Sequence, residues 1–143
     1  MTEIAIADEL AIRRTLAAYC QHLDDGDFGA LAHQFTTDGS FAYGQQGANG
    51  RAELEAWFAA NNPPERRGKH MTMNTIIDLE GDSAKAWSDF AFLGFVKESI
   101  RPLFTGRYHD DFVRAEGRWL IRRRVVAPLT PPGPARDSPP APH

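Results

Sequence analysis

Lys69 to Phe90 reads KHMTMNTIIDLEGDSAKAWSDF, and the period of this stretch decides the fold. From Lys69 to Leu79 the side chains alternate in character, Glu80-Gly81-Asp82 supplies a turn, and a second stretch begins at Ala84. Alternation with β-branched and aromatic residues about a glycine turn is the pattern of a β-hairpin. Outward along the chain, Ala84 to Lys97 continues the second strand before a break near Pro102. Leu103 to Arg114 forms a third strand ending at Glu116-Gly117, and Trp119 to Ala127 a fourth.

The period changes upstream. Between Ala7 and Leu23 the residues Leu10, Ile12, Leu16, Tyr19, Cys20 and Leu23 recur at steps of three and four, the spacing of a helix with one buried face. Gly26 is a natural stop, and Asp27 can cap a short second helix carrying Phe28, Leu31, Ala32 and Phe35. TTDGS (36–40) reads as a turn into a strand with Phe41 and Tyr43, and QQGANG (45–50) as a loop. A third helix over Arg51 to Asn61 sets Leu54, Trp57 and Phe58 on one side and stops before Pro63-Pro64. Helices followed by an antiparallel meander predict an α+β domain over 1–129. The Pro-rich segment 130–143, with almost nothing apolar to bury, reads as a disordered tail.

Composition narrows the functional classes. The 143 residues suffice for one domain with a core. Sixteen basic against 19 acidic residues, a net charge of −3, offer no electrostatic reason for nucleic-acid binding. MTEIAIADELAIRR has neither a signal-peptide pattern nor a spanning segment, so a cytoplasmic protein without membrane partners is expected. Cys20 is the sole cysteine, which removes disulfides and cysteine-based zinc sites and reads as a small buried hydrophobe. KHMTMN offers one metal ligand where zinc needs three, and HExxH, GxGxxG, Walker and GxSxG motifs are missing. Neither a metal nor a cofactor is expected.

Two ionisable residues then stand out. Asp24 lies at the C-terminal end of the first helix in YCQHLDDGD, and His70 opens the alternating strand. Packed together, the carboxylate would hold one imidazole nitrogen and leave the other to take a proton. Strict alternation sets His70, Thr72, Asn74 and Ile76 on one face of the strand and Met71, Met73 and Thr75 on the other. Tyr19, Tyr43 and Asn74 are candidate hydrogen-bond partners for a substrate oxygen. Arg124 would either neutralise a developing anion or form a structural ion pair. Trp87, Phe90, Phe92, Phe95 and Trp119 are expected to build core and pocket walls, which suits a hydrophobic ligand. His22, His33 and His109 read as surface or packing residues.

The order of YCQHLDDGDFGALAHQFTTDGSF, GRAELEAWF, KHMTMNTIIDLEGDSAKAWSDF, GRYHDDFVRAEGRW and WLIRRRVV resembles a SnoaL-like domain of the nuclear-transport-factor-like superfamily over about residues 7–127. The resemblance implies a cone-shaped, curved antiparallel sheet wrapped by N-terminal helices around a pocket. Members include scytalone dehydratases, dehydrochlorinases, polyketide cyclases, steroid isomerases and dioxygenase small subunits. Asp24 and His70 match the carboxylate and catalytic histidine of the dehydratases and dehydrochlorinases, and Arg124 a pocket arginine of the latter, while Tyr19 stands where those enzymes carry lysine. The resemblance thus implies a cofactor-independent lyase, isomerase or cyclase acting on a hydrophobic cyclic or polyketide-type molecule. Two alternatives accompany it: Asp24 as the direct base, or a non-catalytic ligand-binding or dimerising subunit. A homodimer or homotrimer is the expected assembly, because a short chain has too few helices to cover a curved sheet's convex face.

Overall fold

The computed structural model describes residues 2–131. In chain order it contains α1 (Glu3–Asp25), α2 (Phe28–Ala32), β1 (Phe35–Tyr43), β2 (Gln46–Asn49), α3 (Arg51–Asn61), a 3-10 turn (Pro64–Arg66), β3 (Lys69–Glu80), β4 (Ser83–Val96), β5 (Ser99–Ala115) and β6 (Arg118–Pro128). All six strands join one curved, open sheet in the order β2-β1-β6-β5-β4-β3. The expected tail lies, beyond Pro131, outside the described residues.

Local chemistry explains the helix ends. Thr2 caps α1 by accepting the Ala5 N–H at 3.1 Å, satisfying one of the donors a helix start leaves free. Gly26 ends it in a left-handed conformation, φ 75°, and a Cβ there would collide with the Arg67 guanidinium. Asp27 caps α2 through the Ala30 N–H, as its position predicted. The buried stripe Ile12, Leu16, Tyr19 and Leu23 faces the sheet, where α1 lies against β3 and β6. Phe35, Leu54, Phe58, Phe112 and Ile121 complete a core between the helices and the inner sheet face.

Several expectations are corrected. β3 to β6 form the expected antiparallel meander, but β1 joins the sheet by pairing with β6 in parallel. Phe35, expected on α2, and TTDGS, expected as a turn, both belong to β1, where the pairing register shifts between Phe35 and Ser40, and the expected loop 45–50 contains β2. The break assigned near Pro102 falls at Lys97, φ 57°, while Pro102 pairs with Leu93 inside β5. It is tolerated because the register shifts beside it, between Phe92 and Leu93. Alternation in β3 holds only to Met73. Asn74 takes φ 54° at a bulge, and beyond it Thr75, Ile77 and Leu79 take the partly buried face while Ile76 is exposed. Phe90, Phe92 and Trp119 are buried as expected, whereas Phe95 is 67% exposed near the β4–β5 turn.

Candidate active site

The edge position of β3 creates the central contact. With β4 on one side and no strand on the other, alternate N–H groups of β3 lack a ladder partner. At His70 that partner is Asp24, brought there by the last turn of α1. The His70 backbone N–H points at both carboxylate oxygens, 3.1 and 3.0 Å away, and His70 Nδ1 lies 2.7 Å from Asp24 Oδ1. The side chains are nearly closed to solvent, 4% exposed for Asp24 and 11% for His70. An ionised carboxylate only accepts, so a neutral His70 carries its proton on Nδ1 and keeps Nε2 as an acceptor. Phe92 holds the ring from one side, with centroids 4.5 Å apart.

His70 lines a cavity of about 200 Å³ between the helices and the inner sheet face. Its wall is mainly aromatic: Phe41, Trp57 and Phe58 pack with centroids 4.8 to 5.2 Å apart on one side, and Phe90, Phe104 and Tyr108 contribute from β4 and β5. Gln46, Asn61 and Asn62 add carboxamides. A neutral imidazole with a free acceptor beside such a cavity can remove a proton from an apolar ligand, and the restricted solvent access strengthens every polar contact made there.

The predicted residues divide. Asp24 and His70 meet, and Tyr19 and Tyr43 line the cavity, Tyr19 buried and Tyr43 37% exposed. Asn74 does not line it: the bulge turns its side chain to the surface, where its amide donates to Asp89 at 3.0 Å. Arg124 does not line it either. Fully buried, it donates from Nε and Nη2 to the two oxygens of Asp110, both at 2.8 Å, so of the two readings of this residue the ion pair is the one observed. Burial opposes its charge, but the Asp110 carboxylate outweighs this and raises the guanidinium pKa above its ordinary value. Burial likewise pushes the phenols of Tyr19 and Tyr108 well up, so both stay protonated. Tyr108 escaped the sequence reading, although alternation through Tyr108, Asp110 and Phe112 in YHDDF carried the signal. Gln46, Asn61 and Asn62 had none, since polar residues at element ends ordinarily face water.

Cys20 Sγ lies 3.2 Å from Thr72 Oγ1 under the helix, and burial raises its thiol pKa, as befits an inert packing residue. Among the described residues no three His, Cys, Asp or Glu side chains cluster as a metal site requires. No helix among them is long and apolar enough to cross a membrane.

Comparison with known proteins identifies the family and the fold. A family model described as a SnoaL-like domain matches residues 5–125. The uncharacterised protein Rv2910c of Mycobacterium tuberculosis is 32% identical over 129 residues, 84% of each chain. Among solved structures, Rv3472 of the same species, of unknown function, superposes with a TM-score of 0.84 at 25% identity, covering 89% of this chain and 75% of its own. A candidate scytalone dehydratase of Novosphingobium aromaticivorans superposes with a TM-score of 0.79 at 26% identity, covering 91% and 89%.

Proposed function

The chain belongs to the SnoaL-like domain family, and from that premise we propose that it is a cofactor-independent acid/base enzyme, a lyase, isomerase or cyclase. Its substrate is a hydrophobic cyclic or polyketide-type small molecule held in the aromatic cavity. His70 is the general base and Asp24 its orienter. The observation that carries this reading is the 2.7 Å contact between Asp24 and His70 Nδ1 at the wall of that cavity. The likeness to a candidate scytalone dehydratase supports elimination as one of the three outcomes.

The mechanism follows from the proton positions. Nε2 takes a proton from carbon or oxygen of the substrate, and the resulting imidazolium is stabilised by the Asp24 carboxylate. Charge left on the substrate oxygen is met by Tyr19, with Tyr43 at the rim as a second donor. A placed base contributes roughly 10²- to 10⁴-fold, so donors and desolvation supply the rest. The enzyme works as a homodimer or homotrimer that covers the apolar side chains exposed on β3 and the β4–β5 ribbon.

The test is turnover of cyclic ketones and hydroxyketones by the parent and by His70→Ala. A fall of at least about a hundredfold with unchanged circular dichroism is expected. Unaltered turnover would remove His70 from the chemistry, and loss in Asp24→Asn alone would transfer the base role to the carboxylate.

A further inference from the structure

Arg124 and Asp110 stand directly opposite each other on β6 and β5, so their ion pair crosses the inner face of the sheet next to the cavity wall. Replacing a buried pair of this kind by apolar side chains is often neutral or even stabilising, so packing alone does not account for the arrangement. What surrounds the cation is more specific. Its guanidinium carbon lies 3.8 Å from the centroid of Tyr108 and 4.2 Å from that of Tyr19. Phe90 stacks on Tyr108 at 4.4 Å and 12°. Both tyrosines line the cavity, whereas Arg124 does not, and its Nη1 is a fully buried donor with no hydrogen-bond partner. A desolvated cation over the faces of two phenols draws electron density from their rings and makes their hydroxyls stronger donors.

We propose that Arg124, anchored by Asp110, is a positioning residue that acts through Tyr19 and Tyr108, making their end of the cavity a hydrogen-bond donor pole for a ligand oxygen. This rests on the function proposed above and narrows its substrate. Since the His70 end only accepts and the Tyr108 end donates, the ligand carries its acidic proton toward His70 and a carbonyl oxygen toward Tyr108. An enolisable cyclic ketone, whose acidic C–H and carbonyl oxygen are separate atoms, meets both demands.

The probe is 4-nitrophenol, whose neutral and ionised forms differ in visible absorbance, titrated into the full chain carrying His70→Ala so that no imidazole base contributes. At a pH where the free probe is mostly neutral, the bound probe is expected to be enriched in phenolate. Adding Tyr108→Phe should weaken binding by about tenfold or more and reduce the ionised fraction. Arg124→Met should lower that fraction although it touches no ligand, and Arg124→Lys, which retains the charge, should restore part of it. A spectrum unchanged by Arg124→Met, whatever its effect on melting temperature, would make the ion pair purely structural and overturn the proposal. Should that variant not fold, Tyr19→Phe and Tyr108→Phe decide, since binding and spectrum unaltered in both would also overturn it. Either failure would leave the role of His70 as base, read from turnover, intact.

Discussion

Asp24 accepts from one residue twice, taking the backbone N–H and the side-chain Nδ1–H of His70. This fixes the tautomer and the ring together, so the two residues are expected to act as one unit. In a double-mutant cycle, Asp24→Asn with His70→Ala should therefore be little slower than His70→Ala alone, and a multiplicative loss would show independent roles. Both residues were legible in the sequence as types: a carboxylate where a helix ends and a histidine where a strand begins. Arg124 was legible only as an alternative, because its side chain direction depends on a register shift. Asp111 pairs with Arg123 and Phe112 with Ile121, so Arg122 has no partner across the ladder and the run 122–124 turns its last arginine inward.

Among the elements, β3 departs furthest from its sequence pattern. Its first five residues, Lys69 to Met73, fit simple alternation, yet the bulge at Asn74 reverses the faces beyond it, removing Asn74 from the candidate site and bringing Thr75 to 3.1 Å from Ser88. No local signal marks this, beyond asparagine being the non-glycine residue that best tolerates positive φ. Asn74→Val should cost about 1–3 kcal/mol, because a β-branched residue is strained there and the Asp89 hydrogen bond is lost. Urea denaturation would measure this, and a stability equal to the parent's would show that the bulge relaxes at no cost. The turn at Lys97 was hidden for a related reason. Pro102 looked like the breaker, but a bulge lets a sheet accept proline while Lys97 makes the actual reversal.

For the whole molecule, the first turns of α1 are tied to the far end of the sheet by charge. Asp8 accepts from Arg114 at 2.7 Å and from the Trp119 indole at 3.0 Å, and Arg114 also donates to Asp82. The Trp119 hydrogen bond, then Arg114, lowers the Asp8 pKa below its ordinary value. A carboxyl with a depressed folded pKa stabilises above the ordinary carboxylate range and loses that effect as pH falls through the depressed value. Asp8→Asn should accordingly melt lower than the parent at neutral pH, and the gap should close on acidification. A gap independent of pH would assign the effect to packing. Phe95, Ile100 and Ile76 are each more than 60% exposed, and Phe95 and Ile100 pair across the β4–β5 ribbon. A species heavier than the 15.9 kDa monomer is therefore expected in sedimentation, and a monomer at micromolar concentration would refute the assembly.

Local sequence was enough for the class α+β, the positions of α1 and α3, the Asp27-capped start of α2, the four-stranded meander and the two residue types of the dyad. These are set by hydrophobic period, caps and turn residues, all of which act over a few neighbours in the chain. Tertiary structure alone decided that β1 runs parallel to β6, that Asn74 leaves the cavity wall, and that Arg124 lies beneath Tyr19 and Tyr108. Strand partners, bulges and the pairing of a buried charge depend on residues far apart in sequence. Asp24 and Arg124 each find their partner across a contact between two elements, and no local pattern of side chains encodes the register that brings such partners together.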